Sequence, residues 1–253
     1  MPRGDRKERI DCLLVERGFV ESRSKAQALI MAGLVLVDER RVEKPSEVFQ
    51  WDAKIRIKAS LMKYVGRGGI KLEGALNAFS ISPNGYVCLD VGASTGGFTD
   101  CLLQHGAKRV VALDVGQNQL AWKLRADQRV EVREKTNARY IKPEDFGEKF
   151  DLITVDVSFI SVKKIIPALI SLLKPNGRLL VLIKPQFEVG RNEVEKGGVI
   201  RDEKKHKRVI EEINEFALAK GLKVCGVVES PITGAEGNKE FFALYELLDF
   251  KAV

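Results

Sequence analysis

The chain has 253 residues, of which 45% are hydrophobic and 30% are charged, which is enough for one large domain or for a medium and a small one. Its four cysteines are scattered without a C-x-x-C pair and it has two histidines, which argues against a zinc site or a disulfide framework. The absence of a signal peptide and of a bilayer-spanning apolar stretch predicts a cytoplasmic protein without a membrane partner. A net charge of +7 is compatible with an anionic partner but does not name it.

The first sixty residues predict a small α+β module. Apolar residues at helical spacing predict a helix over 9–15, and a second helix begins at Ser22 and ends at Gly33. The predicted strands that follow are 34–37, 41–42 and 54–57. Residues 1–64 carry 14 Lys and Arg against 10 Asp and Glu, so this part is the more basic one per residue. We therefore predict a separate module over residues 1–63.

A basic stretch with three glycines predicts a linker over 64–69, followed by a large domain over 70–253. In this domain strands alternate with helices, which indicates an α/β fold with a mostly parallel sheet. The last two strands leave no room for a helix between them, so they should form an antiparallel hairpin. The predicted strands are 87–91, 109–113, 130–133, 150–155, 178–183, 223–228 and 240–247. The predicted helices are 70–79, 97–105, 118–126, 162–173 and 203–220.

The turn after the first strand of this domain carries the strongest nucleotide signal. Asp90 closes an apolar run, and Gly92, Gly96 and Gly97 follow it before a helical segment. In the dinucleotide pattern G-x-G-x-x-G the middle glycine lets the backbone approach a pyrophosphate, but Ser94 stands at that place. The turn therefore favours an adenosine ligand without a pyrophosphate, of which S-adenosylmethionine (SAM) is the common one, over NAD. A glycine-rich turn with a capped helix and no ligand is the alternative.

Polar or glycine residues also follow the ends of the first five strands, at Gly92, Asp114, Asn137, Asp156 and Lys184. Because ligands of open α/β sheets lie beyond the carboxyl ends of the strands, these positions predict one active-site crevice. An acid at Asp114 is placed to accept hydrogen bonds from ribose hydroxyls. Taken singly, each residue could be a helix cap, a turn former or a solvated side chain. The predicted cofactor-binding residues are Asp90, Gly92, Ala93, Ser94, Gly96, Gly97, Phe98, Thr99, Asp114, Val115, Asn137, Ala138 and Asp156.

Three N-terminal segments resemble the RNA-binding domain named after small-subunit ribosomal protein S-four (the alpha-L motif). They are R-I-D-C-L-L-V-E-R-G, S-R-S-K-A-Q-A-L-I-M-A-G-L-V-L-V-D and V-E-K-P-S-E-V. In that family basic residues at the start of the second helix contact the RNA backbone, which implies this role for Arg23 and Lys25. The chain departs from the family at residues 38–40, which replace an Asn-Gly hairpin, and at 51–52, which replace Gly-Asp. A basic packing or dimerisation module is the alternative. The predicted RNA-binding residues are Arg9, Arg23, Lys25 and Arg67.

From about residue 9 to residue 247 the chain resembles the TlyA family, whose catalytic half resembles the FtsJ group of RNA ribose 2′-O-methyltransferases. The motifs that carry the resemblance are R-G-G-I-K-L, D-V-G-A-S-T-G-G-F-T, D-V-S-F-I-S, I-K-P-Q-F-E and S-P-I-T-G-A-E-G-N-K-E-F. It implies a Rossmann-like, seven-stranded SAM-dependent methyltransferase domain behind an RNA-binding module. The implied activity is methylation of a cytidine 2′-hydroxyl in ribosomal RNA, with ribosomal subunits as partners and no metal.

By the same resemblance a Lys-Asp-Lys-Glu tetrad maps to Lys71, Asp156, Lys184 and Glu240. A ribose hydroxyl is a poor nucleophile near neutral pH, so attack on a sulfonium methyl needs orientation and help in losing a proton. We interpret Lys184 as the base or the hydroxyl-orienting group and Lys71 as its electrostatic neighbour. Asp156 would hold Lys184, and Glu240 would position Lys71.

Two long loops, 185–202 and 231–239, are predicted to flank the site. The candidates for contact with the target nucleotide are Gln186, Phe187 and Arg191. Disorder without a role is the alternative for the first loop.

Two other function classes stay open beside the enzyme. A pore-forming cytolysin is suggested by the hemolysin label of the family, and the lack of a spanning segment counts against it. A non-catalytic RNA-binding assembly factor is the other, and the intact tetrad counts against it. A NAD-dependent oxidoreductase is disfavoured by Ser94.

Overall fold

The chain folds into two structural units, one over residues 1–63 and one over residues 64–253. The computed structural model describes residues 6–20, 22–31, 33–57, 63–190, 193–194, 197–234 and 237–247. Arg191, which the sequence predicts to contact the target nucleotide, lies outside these residues.

The first unit packs two helices against short antiparallel strands. The helices are α1 (Ile10–Glu16) and α2 (Arg23–Met31). The strands are β1 (Lys7–Arg9), β2 (Val35–Val37), β3 (Arg40–Arg41), β4 (Val48–Gln50) and β5 (Ile55–Ile57). Strand β2 lies between β3 and β5, while β1 pairs with β4. The apolar faces of both helices meet this layer through Ile10, Leu13, Leu14, Ala26, Ile30, Val35, Val37 and Val42.

The hairpin between β2 and β3 keeps its form without the usual glycine. Asp38 and Glu39 have φ angles of 48° and 64°, and two successive left-handed residues are what a type I′ turn requires. The departure from Asn-Gly therefore changes the side chains of this turn but not its backbone. The strand pair β1–β4 was not predicted, because its three-residue strands carry too little apolar alternation to be read from sequence.

The second unit is built on a seven-stranded sheet in the order β11-β12-β10-β9-β6-β7-β8. The strands are β6 (Val87–Val91), β7 (Arg109–Leu113), β8 (Val130–Arg133), β9 (Phe150–Val155), β10 (Leu173–Ile183), β11 (Leu222–Glu229) and β12 (Phe241–Leu247). Strands β6 to β10 pair in parallel, and β12 runs antiparallel to both β10 and β11. This confirms the predicted α/β class and the predicted terminal hairpin.

Helices cover both faces of this sheet. The helices are α3 (Gly68–Ala78), α4 (Gly97–Gln104), α5 (Trp122–Arg125), α6 (Ile166–Ile170), α7 (Pro185–Glu188) and α8 (Glu203–Ala219). Apolar side chains of α3, α4 and α5 pack on one face, and those of α6 and α8 pack on the other. With a helix layer on each side, the central strands β6, β7 and β9 are buried on both faces, which explains their nearly continuous apolar runs.

The segment predicted as a linker belongs to the second unit. Tyr64 is 1% exposed, and α3 begins at Gly68, two residues before its predicted start. A Cβ atom at Gly69 would lie 2.2 Å from the Tyr64 ring, so the absence of a side chain lets this helix turn pack on the tyrosine. The glycines here serve close packing rather than flexibility.

Two predicted helices are shorter than their sequence pattern indicates. The helix predicted over 118–126 is reduced to α5, because Asn118 has a left-handed φ of 57°. The helix predicted over 162–173 is a 3-10 turn, Val162–Lys164, followed by α6, and residue 173 already belongs to β10. In contrast, α8 starts at the predicted residue because the Asp202 side chain accepts a hydrogen bond from the Lys204 backbone N–H at 2.9 Å.

Truncation of Leu72 should destabilise the second unit, because this fully buried side chain attaches α3 to the sheet. Leu72→Ala is expected to lower the free energy of unfolding by about 2–5 kcal/mol. Leu218→Ala is the matched control, since Leu218 lies in α8 with 53% of its surface exposed and should change stability by less than about 0.5 kcal/mol. Equal effects in urea denaturation would show that α3 is not anchored in this way.

Candidate active site

The alternation of side chains along three neighbouring strands brings charged residues to one edge of the sheet. On the face that α3 and α4 cover, β9, β10 and β12 carry Leu152, Leu182 and Phe242. Successive residues point to opposite faces, so Asp156, Lys184 and Glu240 continue these rows on the same face. Strands β9 and β10 end at this edge and β12 begins there, because β12 is antiparallel. Helix α3, which covers this face, brings Lys71.

These four residues form two ion pairs in nearly buried surroundings. Lys71 Nζ lies 2.5 Å from Glu240 Oε2, and Lys184 Nζ lies 2.6 Å from Asp156 Oδ1. The two lysines are each 9% exposed and Glu240 is 3% exposed. Ile183 of β10 pairs with Phe241 of β12, and one residue further the same register places Lys184 opposite Glu240. The two ion pairs therefore lie at adjacent strand ends. The structure thus brings the predicted tetrad to one edge of the sheet.

Lys184 has a second polar partner that the sequence reasoning did not include. Its Nζ donates a hydrogen bond to Ser158 Oγ at 2.9 Å. The contact with Asp156 is an ion pair rather than an aligned hydrogen bond, since the buried Oδ1 of Asp156 accepts no hydrogen bond within the described residues. The ammonium group is therefore held between a carboxylate and a hydroxyl.

The glycine-rich turn after β6 passes close to the end of β9. Gly92 has a φ of +85°, and a Cβ atom there would lie 2.3 Å from the backbone oxygen of Asp156. The Ser94 backbone N–H donates to Asp114 Oδ2 at 2.8 Å, and the Gly116 N–H donates to Oδ1 at 2.7 Å. These bonds fix the Asp114 carboxylate at the edge of the turn, while the lone pairs that remain can accept further hydrogen bonds.

A cleft of about 510 Å³ opens beside this turn. The predicted residues that line it are Gly92, Ser94, Asp114, Val115, Asn137, Ala138 and Asp156. A neighbouring cavity of about 120 Å³ is lined by the predicted residues Gly92, Ala93, Ser94, Gly97, Phe98 and Asp156, together with Gly68 and Thr95. The cleft and the small cavity thus share Asp156 and the start of the glycine-rich turn.

Three predicted cofactor residues do not line either cavity. Asp90 and Thr99 are fully buried behind the turn, where the Thr99 hydroxyl donates to Asp90 Oδ2 at 2.7 Å. Thr154 Oγ1 donates to Asp90 Oδ1 at 3.2 Å. Gly96 faces α5 instead, since a Cβ atom there would lie 2.2 Å from Leu124. These residues therefore support the turn through contacts outside the two cavities.

The cleft also has lining residues that the sequence reasoning missed. They are Val91, Leu113, Gln119, Thr136, Arg139, Val157, Ser158, Phe159, Ile160 and Ile165. Those at 157–160 follow directly after β9, so their position beyond a strand end was the available signal. Phe159 is 90% exposed with a left-handed φ of 65°, and its ring centroid lies 5.0 Å from that of Phe187.

Glu188 attaches α7 to the loop that follows β9. Its carboxylate accepts hydrogen bonds from Ser161 Oγ at 2.6 Å and from the Val162 backbone N–H at 2.8 Å. Burial raises the pKa of Glu188 above its usual value. Phe187 is therefore brought beside Phe159 by a fixed contact, and the nearby Gln186 has a buried Oε1 that accepts no hydrogen bond among the described residues.

The predicted RNA-binding residues are distributed over both units. In the first unit Arg9 and Arg23 contact Asp11, and Lys25 is exposed. In the second unit Arg67 is exposed and donates through Nη2 to the backbone oxygen of Thr233 at 3.1 Å.

No described helix combines the length and the apolar character needed to cross a membrane. Within the same residues, no group of three or more His, Cys, Asp or Glu side chains is arranged to hold a metal ion.

Comparison with known protein families gives a match in each unit. The family described as FtsJ-like methyltransferase matches residues 64–246, and the S4 domain matches residues 8–50.

The chain is also similar to named relatives over most of its length. YqxC of Bacillus subtilis, named as a candidate rRNA methyltransferase, is 50% identical over 93% of this chain and 84% of its own. The 16S/23S rRNA (cytidine-2′-O)-methyltransferase TlyA of Mycobacterium tuberculosis is 45% identical over 94% of this chain and 89% of its own. A solved structure from Streptococcus thermophilus, named as a hemolysin candidate, has a TM-score of 0.76 at 44% identity and covers 96% of this chain and 89% of that one.

The buried Asp90 should make stability depend on pH. Burial raises the pKa of its carboxyl to about 7, so the folded state holds the proton more tightly than the unfolded state. This stabilising contribution is complete below about pH 4 and is lost as the pH rises through about 7. Between pH 5 and pH 8 the wild-type free energy of unfolding should therefore fall by about 2 kcal/mol relative to that of Asp90→Asn.

Urea denaturation at several pH values measures this difference. Asp127→Asn is the control, because Arg129 lowers the pKa of Asp127 and its titration lies below the tested range. Its stability curve should run parallel to that of the wild type. If the stability of Asp90→Asn also changed with pH in parallel with that of the wild type, Asp90 would not have a raised pKa.

Proposed function

The chain belongs to the FtsJ-like methyltransferase family, and we propose that it transfers a methyl group from SAM to the ribose 2′-hydroxyl of a cytidine in ribosomal RNA. The observation that carries this proposal is the convergence of Lys71, Asp156, Lys184 and Glu240 at the sheet edge, beside a cleft that Asp156 also lines. The cytidine and the ribosomal RNA come from the named activity of the TlyA relative.

The cleft beside the glycine-rich turn fits SAM. Its volume of about 510 Å³ lies in the usual range for small-molecule sites. Gly92 has no side chain at a place where a Cβ atom would collide with the backbone of Asp156. Asp114 presents a fixed carboxylate for ribose hydroxyls at the edge of the turn. When bound, SAM supplies an electrophilic methyl group on a positively charged sulfur. Asp156, which lines both cavities, provides a carboxylate close to that charge.

We assign Lys184 as the residue that orients the 2′-hydroxyl and receives its proton. Asp156 and Ser158 hold the nitrogen from two sides, which restricts the directions from which a hydroxyl can approach. In the transfer the hydroxyl oxygen forms a bond to the methyl carbon, the carbon–sulfur bond breaks, and sulfur keeps the electron pair. For this step the ammonium of Lys184 first gives up a proton to solvent, and the resulting amine takes the proton of the hydroxyl.

Lys71 and Glu240 complete the site as a supporting pair. Both are nearly buried, and a Cβ atom at Gly234 would lie 2.6 Å from Glu240 Oε1, so the loop that precedes Glu240 packs directly on this carboxylate. A buried carboxylate needs a paired charge, which Lys71 supplies. We propose that this pair sets the electrostatic surroundings of Lys184 from the adjacent strand.

RNA contacts are proposed for both units. The first unit matches the S4 domain and contains Arg9, Arg23 and Lys25 at exposed positions. In the second unit the exposed ring of Phe159, beside Phe187, offers an aromatic surface on which an unstacked base can lie. We infer that ribosomal RNA is the partner and that the protein acts in the cytoplasm, where ribosomes are.

Removal of the Lys184 amine should abolish transfer without removing the cofactor. Lys184→Met, incubated with labelled SAM and unmodified ribosomal subunits, is expected to reduce the single-turnover rate at least a hundredfold. The dissociation constant for SAM should stay within about threefold of the wild-type value, because Lys184 does not line either cavity. The methylated position is mapped as a 2′-O-methyl group.

Lys174→Met is the matched control for this experiment. Lys174 belongs to β10, the strand that ends just before Lys184, and forms an ion pair with Asp151 at 2.8 Å, but it lies near the opposite end of that strand. It should retain wild-type activity. A wild-type rate for Lys184→Met would refute the mechanism, and a wild-type protein that binds subunits but never methylates them would favour the assembly-factor alternative.

The pH dependence of the wild-type single-turnover rate separates the two roles proposed for Lys184. A rate that rises tenfold per pH unit at low pH supports proton acceptance, whereas a flat profile supports orientation alone.

Loss of the Asp114 carboxylate should weaken cofactor binding. Asp114→Ala removes the acceptors proposed for the ribose hydroxyls, and the dissociation constant for SAM measured by calorimetry should rise about tenfold to a hundredfold. Asp145→Ala is the control, because Asp145 is exposed and does not line the cleft. Unchanged affinity in Asp114→Ala would place the adenosine elsewhere.

A further inference from the structure

A buried carboxylate in the first unit contacts two of the arginines expected to meet RNA. Asp11, the second residue of α1, is 0% exposed. Its Oδ1 accepts a hydrogen bond from Arg9 Nε at 3.0 Å. Its Oδ2 accepts three, from Arg9 Nη2 at 3.0 Å, Arg23 Nη2 at 2.9 Å and Gln27 Nε2 at 3.0 Å. One carboxylate thus connects the end of β1 with the first turns of α2.

We propose that Asp11 is a positioning residue, which fixes Arg9 and Arg23 as a pair of guanidinium groups shaped to bind the phosphate backbone of structured RNA. This inference rests on the proposed function, since it takes ribosomal RNA as the ligand of the first unit. It assigns Asp11 no contact with RNA.

The two arginines are held close together and still face solvent. Both Nη2 atoms contact the same oxygen, so they are separated by no more than two hydrogen-bond lengths. Their side chains are 44% and 56% exposed, respectively, although the shared carboxylate is buried. Among the described residues Arg23 uses one nitrogen on this contact and Arg9 uses two, which leaves N–H donors of both groups for a phosphate.

The charges favour this arrangement over a simple link between helices. The hydrogen bonds from Arg9, with those from Gln27 and Arg23, hold the pKa of Asp11 below its usual value despite burial, so the carboxylate is charged at neutral pH. Two arginines on one carboxylate leave a net positive charge at the surface. A free arginine loses rotamer entropy when it binds a phosphate, whereas a fixed one has already lost it. Guanidinium groups held in place can also bind phosphate oxygens in a bidentate manner.

The test compares binding to structured and unstructured RNA in the full-length chain. Asp11→Asn keeps the shape of the side chain and removes its charge. Its affinity for unmodified ribosomal subunits should fall about tenfold, because two arginines lose their fixed positions. Its affinity for poly(U), which presents no fixed phosphate arrangement, should be equal or higher because the net charge rises by one. Affinity for SAM should not change, since the cleft lies in the other unit.

Glu16→Gln is the matched control. It makes the same charge change in the same helix but releases Arg6 from an exposed pair at 2.9 Å. It should not weaken subunit binding. Equal losses in both variants would overturn the proposal, because the loss would then not depend on the contact of Asp11 with Arg9 and Arg23.

A double-mutant comparison separates positioning from a purely structural role. In a background with Arg9→Gln and Arg23→Gln, Asp11→Asn should cause no further loss of subunit affinity. A further tenfold loss there would overturn the proposal, as would wild-type affinity in Asp11→Asn. If circular dichroism shows that Asp11→Asn unfolds the first unit, Asp11→Glu takes its place, with the same expected loss. Normal subunit binding by a wild type that does not methylate would reject the proposed function and leave this inference standing.

Discussion

A lysine that loses most of its water needs a carboxylate beside it, and this requirement shapes the edge of the large sheet. Lys71 and Lys184 are both nearly buried, and each contacts one acid. Removing either acid would leave an uncompensated buried charge, which is far costlier than losing a surface ion pair. The arrangement therefore ties together α3 and the ends of β9, β10 and β12, and through Asp156 it also reaches the cleft beside the glycine-rich turn.

The same physical rule operates in the first unit on a smaller scale. Asp11 is fully buried and accepts hydrogen bonds from three side chains, two of them arginines. In one unit buried lysines are neutralised by acids, and in the other a buried acid is neutralised by arginines that still reach solvent. Each unit therefore fixes charged side chains in place by pairing them across its apolar core. Both arrangements depend on residues far apart in sequence being fixed by an apolar core.

Close backbone approach is the second constraint on the site. Gly92 lies against the backbone of Asp156, and Gly69 lies against the ring of Tyr64, so both positions require a residue without a side chain. The first contact joins the glycine-rich turn to the end of β9, and the second holds the start of α3 against the segment that precedes it. They also explain why glycines that read as a flexible linker are part of a packed helix. Behind the turn, Asp90 is bound by two threonine hydroxyls and supports the loop without lining the cleft.

The sequence by itself determined the alternation of strands and helices, the terminal hairpin, the family, and the residue types of the tetrad, because these depend on local periodicity and on motifs that are contiguous in the chain. Two helices could not be predicted at their true length. The helix expected over 118–126 is shortened to α5 because Asn118 is left-handed, and the one expected over 162–173 is interrupted and ends early because β10 begins at residue 173. The pairing of each acid with its lysine was already expected from the family resemblance, whereas the contact of Ser158 with Lys184 and the joining of two arginines by Asp11 emerged only from the folded chain. Such contacts are set by the way helices and strands pack against one another, which local periodicity does not specify.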